Sequence, residues 1–441
     1  MNRGLLDDQP GWQASPLVSD GDAVIVYGPQ YNPRTKSFSR SVFEAYYQSL
    51  ASYKQASQQG NQAPELIVVS RSSDNGRSWT APDVTADAHG YTFNDKNAIW
   101  ADKNMSSPYY GRLYSSWTQF RGIPGTAEPV MTSFSTDGGR TWSTPKQLSA
   151  ASNNSVTGGR QGSAVRTDGQ GTVYVTWEDG GNQIYAKSTD GGVSYTRPGA
   201  IGPVRDLIDP IPGSNFRNDS FLSLASDPRP NSTTLYAAWV NRTVDDGSAA
   251  EIVVYMTTGA GWTKVATPYA GSTADDGVPF FQGLDVADDG RLDLGWQAMT
   301  ALDPTTFGTG NALIDSYYAA SPAGGDAFGA VVKVTTVSSD PAASSQNNLK
   351  RQFWGDYNTL VSKGASAWFI YTDSRHGEGC PAVDAYQKYL LDTGAIIQQE
   401  DRAADRLVGR EAPDVVEKPA PPADCLPQFG NTDLFVSVIA A

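Results

Sequence analysis

The chain has 441 residues, 39% hydrophobic and 11% aromatic, with 44 glycines, 27 prolines and only 18% charged residues, the balance of a turn-rich β-protein with ample material for a core. Its formal net charge of −14 excludes nucleic acid and anionic membrane surfaces as partners, because both require a basic footprint. No apolar run approaches the roughly 18 residues of a membrane span.

Met1 to Asp8 lacks the apolar stretch of a signal peptide, so an exported protein would have had its leader removed or would ride on something else. From Ser15 onward the sequence repeats one pattern: an apolar alternating strand, a second strand often ending in Trp, and a third that enters a turn. The first unit, Ser15 to Trp79, joins Pro16-Leu17-Val18 and Ala23-Val24-Ile25-Val26-Tyr27 to Glu65-Leu66-Ile67-Val68-Val69-Ser70. The second runs from Asn94 through Arg112–Trp117 to Trp142, and the third from Arg160 through Thr172–Trp177 to Tyr195. Period-two alternation bounded by Gly, Asp, Asn and Pro is the strand signal in each. Each of the three ends in a near-copy of one turn: Ser72–Trp79, Ser135–Trp142 and Ser188–Tyr195 all read S-x-D-x-G-x-x-aromatic. The Asp carboxylate accepts from backbone N–H groups further along, the Gly supplies positive φ, and the aromatic folds back between strands.

Two further units keep the strands and have lost the turn. They are Arg217 to Trp262, with Thr234–Trp239 and Glu251–Tyr255, and Val278 to about Phe328, with Arg291–Trp296. The sixth opens at Arg351–Tyr357, continues through Ala367–Tyr371 and ends in Asp433–Ile439. Six units of about 45 to 70 residues predict an all-β, six-bladed β-propeller of four-stranded antiparallel sheets, forming one domain over residues 1–441. Two insertions interrupt it. Within about 30–62, the apolar spacing of Val42 to Tyr53 is nearer 3.6 than 2 and predicts a helix in the first blade. The other, 377–429 in the sixth blade, predicts a helix over Val383 to Leu391 followed by an exposed charged loop.

Cys380 and Cys425 bracket that second insertion. Neighbouring strands would bring its ends together, which predicts a disulfide and an oxidising compartment: extracellular, cell-surface or periplasmic. The alternative is two unrelated buried thiols. With only His89 and His376, imidazole metal sites and His-dependent triads drop out. No cofactor is called for, and the one metal the composition leaves room for is structural Ca²⁺ on Asp and carbonyl oxygens.

The three turns, together with Trp354-Gly355-Asp356-Tyr357-Asn358-Thr359-Leu360 and Tyr371-Thr372-Asp373-Ser374-Arg375, resemble the sialidase (neuraminidase) superfamily, in particular bacterial Asp-box (BNR) repeat sialidase-like proteins. The resemblance covers nearly the whole chain outside the insertions. It implies a glycan or glycoconjugate as partner and a terminal, acidic sugar clamped by three arginines. It also implies a Tyr nucleophile served by a Glu, and an Asp acting as acid and base. By position, the implied clamp is Arg160, Arg217 and Arg351, the implied nucleophile Tyr357 with Glu178, and the implied acid Asp95, with Trp354 as a stacking face. Arg351 and Tyr357 are six residues apart, about 20 Å on an ideal strand, so Arg351 must lie on a loop to share a site. The family's first-blade Arg-Ile-Pro is absent: Ala14-Ser15-Pro16 stands there, and Arg121-Gly122-Ile123-Pro124 carries an extra Gly in the wrong strand pair. The expected activity is therefore a sialidase-type exo-glycosidase. The alternatives are a non-catalytic propeller binding glycan or protein, with the insertions as a protein-docking element, and a polysaccharide lyase.

Overall fold

The computed structural model describes residues 6–54, 65–88, 92–122, 127–150, 161–271, 277–300, 312–345, 351–392, 425 and 429–440. It divides into two compact units. One comprises Met1–Ile201 with Pro228–Thr233, and the other Gly202–Asp227 with Thr234–Ala441.

The first unit opens on a short helix α1 (Pro10–Gln13), whose Trp12 is fully buried and donates its Nε1 hydrogen to Ser70 Oγ at 2.8 Å. Three sheets follow. The first is β1 (Leu17–Asn32), β2 (Ser37–Tyr53), β3 (Leu66–Ser72) and β4 (Asp83–Ala86); the second is β5 (Thr92–Ala101), β6 (Leu113–Arg121), β7 (Val130–Ser135) and β8 (Lys146–Gln147). The third is β9 (Ala164–Thr167), β10 (Val173–Asp179), β11 (Asn182–Ser188) and β12 (Gly199–Pro203). The second unit carries β13 (Ser223–Ser226), β14 (Leu235–Arg242), β15 (Ala250–Thr257) and β16 (Trp262–Gly271), then β17 (Val278–Val286), β18 (Leu292–Thr300), β19 (Leu313–Ser321) and β20 (Val332–Lys333). Its last sheet is β21 (Thr359–Lys363), β22 (Ser366–Asp373) and β23 (Asp433–Ala440), three strands among the described residues. Each sheet is an antiparallel meander in chain order, and the six together are the blades of an all-β, six-bladed propeller. No helix among the described residues is long and apolar enough to cross a membrane.

The helix expected over Val42–Tyr53 is instead the second half of β2. That stretch pairs with β1 on one edge and β3 on the other: Tyr46 faces both Val26 and Arg71. A central strand buried on both faces carries apolar residues at consecutive positions, and the loss of alternation imitates a helical period. The second insertion follows expectation: α2 (Pro381–Asp392) covers the predicted helix, and Cys380 and Cys425 are bonded at 2.09 Å across a separation of 45 residues. The charged half of that insertion lies outside the described residues.

The repeated turns have the geometry their spelling requires. Asp137 Oδ1 accepts from Arg140 N (3.1 Å), Thr141 N (2.9 Å) and Ser135 Oγ (2.8 Å), and Oδ2 accepts from Thr141 Oγ1 (2.6 Å). Two successive residues with positive φ turn the chain, Gly138 at 69° and Gly139 at 76°, where an L side chain would be strained. The fifth sheet corrects the reading that its turn is lost. Ser321-Pro322-Ala323-Gly324-Gly325-Asp326-Ala327-Phe328 keeps every position except the Asp, with Gly324 and Gly325 at 117° and 70°. Ala327 N there donates to Ser321 Oγ at 3.3 Å.

Three first strands, β1, β5 and β17, share a bulge that the sequence did not reveal. A residue with positive φ interrupts the pairing: Asp22 (49°), Lys96 (53°) and Phe281 (47°). In β5 and β17 the next residue reaches back to the preceding sheet. Asn97 Nδ2 donates to Asp22 O and Gln48 Oε1, both at 3.2 Å, and Gln282 Nε2 donates to Phe221 O (2.7 Å) and Ala238 O (3.0 Å). Ser163 Oγ to Ser116 Oγ (3.0 Å) and Asn358 Nδ2 to Gln297 Oε1 (3.1 Å) make the same kind of tie ahead of β9 and β21.

Candidate functional site

Within a sheet the first and third strands run parallel, so the repeated turns, which follow β3, β7 and β11, lie at the end opposite to where the first strands begin. The sequence-predicted site residues lie at the strand-start end of their own unit. Arg160 falls outside the described residues.

In the first unit, Asp95 is the fourth residue of β5 and sits immediately before the bulge. Its Oδ1 accepts from Lys96 N at 2.7 Å, and Asp22, the bulge residue of β1, acts on its carboxyl. Burial, with Asp22 beside it, holds the Asp95 carboxyl protonated above the usual carboxylate range, against the pull of the Lys96 ammonium. Glu65, one residue ahead of β3, joins the group: burial, then the charges of Asp95, Asp20 and Asp22, push it up to about 8. Glu178 is half-buried near the end of β10, which is the strand-start end of its sheet, and its backbone N donates to Gln161 O at 3.4 Å. Asp22 and Glu65 were missed by sequence reading because Asp20-Gly21-Asp22 reads as ordinary turn chemistry. The positive φ of Asp22 is the backbone feature that marks the place.

In the second unit the expected clamp is differently employed. Arg217 is held by Asp356 through two parallel bonds, Nε to Oδ1 and Nη2 to Oδ2, each 2.6 Å. Arg351 is on a loop, as the distance argument required. Its guanidinium engages Asp209 (Nη1 to Oδ2 3.2 Å, Nη2 to Oδ1 2.5 Å) and Asn215 O (3.0 Å). Each arginine thus faces a carboxylate of the chain itself. Trp354 is buried, packs 6.1 Å from Phe216 and donates Nε1 to Gln297 Oε1 at 2.9 Å, so its faces serve the core and offer nothing to a ligand. Tyr357, two residues ahead of β21, is 40% exposed, as is Phe353.

Among the described residues, no group of three or more His, Cys, Asp or Glu is placed to hold a metal ion.

No family model and no curated protein matches the chain. Among solved structures it is similar to a protein of unknown function from Dyadobacter fermentans DSM 18053, at 12% identity over 81% of this chain and 95% of that one, with a TM-score of 0.43. It is also similar to the NanB sialidase of Streptococcus pneumoniae, at 10% identity over 81% and 67% of the two chains and a TM-score of 0.45. A third is the intramolecular trans-sialidase of Ruminococcus gnavus, at 11% identity over 78% and 89% and a TM-score of 0.42.

Proposed function

We propose that this protein processes glycans as a glycoside hydrolase, with Asp95 delivering the proton to the departing sugar oxygen. The observation that supports this reading is Asp95, immediately before the β5 bulge, beside Asp22 in the β1 bulge. Cleavage of a glycosidic bond needs a carboxylic acid that is still protonated near neutral pH, and Asp95, pushed up to about 7 chiefly by burial, meets that need. Burial is the main cause, and the Asp22 carboxylate beside it adds to the rise against the pull of Lys96. Tyr357 is assigned as nucleophile on the sialidase pattern, where a neutral phenol attacks. On the same pattern Glu178 is kept as a base and Arg160 as a substrate contact.

The test is turnover on a panel of aryl glycosides, an aryl sialoside included, with Asp95→Asn and Tyr357→Phe. The expected outcome is turnover by the wild type on at least one sugar, a loss of about 10²-fold or more in Asp95→Asn, and an alkaline decline of kcat/KM as Asp95 ionises. A glycoside with a good aryl leaving group rescues Asp95→Asn and not Tyr357→Phe. No hydrolysis by the wild type on any sugar defeats the reading. In that case a non-catalytic glycan- or protein-binding propeller stands, which the internal pairing of Arg217 and Arg351 favours.

A further inference from the structure

The strand-start end of the first unit gathers more carboxyls than one general acid needs. Asp20 and Asp22 sit on β1, Glu65 one residue ahead of β3, and Asp95 on β5. Hydrogen bonds to the backbone hold these places together. Asn94, next to Asp95, donates Nδ2 to Glu65 O at 3.0 Å, and Asn97 donates Nδ2 to Asp22 O at 3.2 Å. The charges record the same proximity: Asp95, Asp20 and Asp22 each act on Glu65, Asp22 acts on Asp95, and Asp7 acts on Asp20. Lys96 pulls the other way on Asp95. The group is also incomplete in its hydrogen bonds. Asp22 Oδ2 is closed off from solvent and has no hydrogen-bond partner. Asn97, 5% exposed, turns its amide onto Asp22, and its Oδ1 has no partner either. Buried acceptors are ordinarily satisfied, so two unmet ones beside four carboxyls mark a place for a donor that carries positive charge.

We propose that this end binds a sugar bearing a protonated amino group, whose ammonium lies among Asp20, Asp22 and Glu65 and supplies the missing donor. This sugar class rests on the reading above that a glycan sits at this end of the unit. It departs from the acidic sugar that the sialidase resemblance implies. Among the described residues, no three of these groups are placed around a metal ion. An ammonium asks for less, because its three N–H donors rotate on one centre and need no fixed coordination geometry. A neutral hydroxyl would meet an unpaired acceptor and leave the like charges unrelieved, and a carboxylate sugar would add to them. Asp20 is exposed, and Asp22, Glu65 and Asp95 are partly so, which leaves the group open to a ligand. Asp95 keeps its part as acid, since burial is the main cause of its rise. Glu65, pushed up to about 8, holds a proton in the free protein, and an ammonium beside it favours the ionised form. Binding therefore releases protons.

The experiment reads binding apart from turnover. The full chain carrying Asp95→Asn, which keeps the shape of the protonated acid, is titrated calorimetrically at about pH 6.5, where a sugar amine and Glu65 are both protonated. The probes are oligosaccharides of glucosamine, of N-acetylglucosamine and of glucuronic acid, each in two buffers of different ionisation heat. The glucosamine series is expected to bind about tenfold or more tighter than the N-acetylated one, with protons released, and the glucuronyl probe not at all. At least one of Glu65→Gln and Asp20→Asn, both close in shape to the parent, weakens the glucosamine probe about fivefold or more. Calorimetric melting checks that each variant is folded. Equal affinity for the amine and its acetylated form, preference for the glucuronyl probe, or unchanged glucosamine binding in both variants overturns the proposal. So does binding without proton release, or no binding of any probe. Turnover that survives in Asp95→Asn overturns the assignment of the acid alone. Turnover lost in Asp95→Asn, with no preference for the amine, overturns the amine subsite alone.

Discussion

Replacing Asp137 by Ala removes the centre of one repeated turn and nothing at the strand-start end of the sheets. The structure gives the size of the loss. Four bonds converge on the carboxylate, from Ser135 Oγ, Arg140 N, Thr141 N and Thr141 Oγ1. Net contributions run about 0.5–1.5 kcal/mol per bond, and the two from Thr141 belong at the low end because that residue is exposed and water replaces its partner. The expected destabilisation is about 2–3 kcal/mol, a fall of about 4–12 °C in the midpoint of a unit of roughly 200 residues. Differential scanning calorimetry reads it directly, with exposed Thr136→Ala as the neutral comparison. The pH dependence is a second readout. Burial works to raise the Asp137 pKa, and the bonds from Thr141, Ser135 and Arg140 outweigh it, so the folded value lies below the ordinary 3.8. A depressed carboxylate stabilises fully above its unfolded pKa and loses that contribution as pH falls through the folded one. The gap between wild type and Asp137→Ala should therefore be constant from neutral pH to about 5 and narrow below 4. A variant that melts within a degree of wild type at pH 7, or a gap that widens in acid, would refute the view that this carboxylate closes the turn.

Glu65 predicts the opposite pH trend. Its folded pKa is raised to about 8 by burial and by Asp95, Asp20 and Asp22, so its contribution is complete below the ordinary 4.5 and lost as pH rises through about 8. The melting temperature should fall from pH 5 to pH 9, and Glu65→Gln should flatten that fall. Cys425→Ser opens a 45-residue loop and should cost about 3–4 kcal/mol in the chain-entropy account, measured by urea unfolding. Denatured, unreduced wild type should titrate no free thiol. Trp354→Ala empties a fully buried site and should cost about 3–5 kcal/mol, seen in the same urea series, whereas an exposed stacking residue would cost almost nothing.

Sheet number and strand order were legible because each blade states its pattern locally. Alternating runs such as Thr172–Trp177 and Asp433–Ile439 became β10 and β23, and the Asp-Gly turns closed where they were read. Val42–Tyr53 misled because burial on both faces erases the alternation, a consequence of neighbours far away in sequence. The turn at Ser321–Phe328 went unseen because the reading required an Asp, while the paired positive φ of Gly324 and Gly325 is what the backbone keeps. The candidate site was less legible. Asp95 could be picked out by its place at the head of a strand, but its partner Asp22 depends on a bulge that no local spelling announces. The carboxylates that hold Arg217 and Arg351 lie 139 and 142 residues away in the chain. Such pairings arise from how strands register, and a positive side chain in sequence gives no sign of whether its charge is already spent.

The back-reaching side chains Asn97, Ser163, Gln282 and Asn358 all belong to the first strand of a sheet or its approach, and they grip the second strand of the sheet before it or its own hub-side neighbours. These ties fasten the first strand of one sheet to the second strand of the sheet before it within each unit. The disulfide-bounded insertion departs after β22 and returns before β23, and none of these four ties involves it. Lineages of this architecture should accordingly vary in the length and content of such growths while Asn97 and Gln282, the polar residues that follow the kinks of β5 and β17, stay fixed, since exchanging either would unfasten one sheet from the one before it.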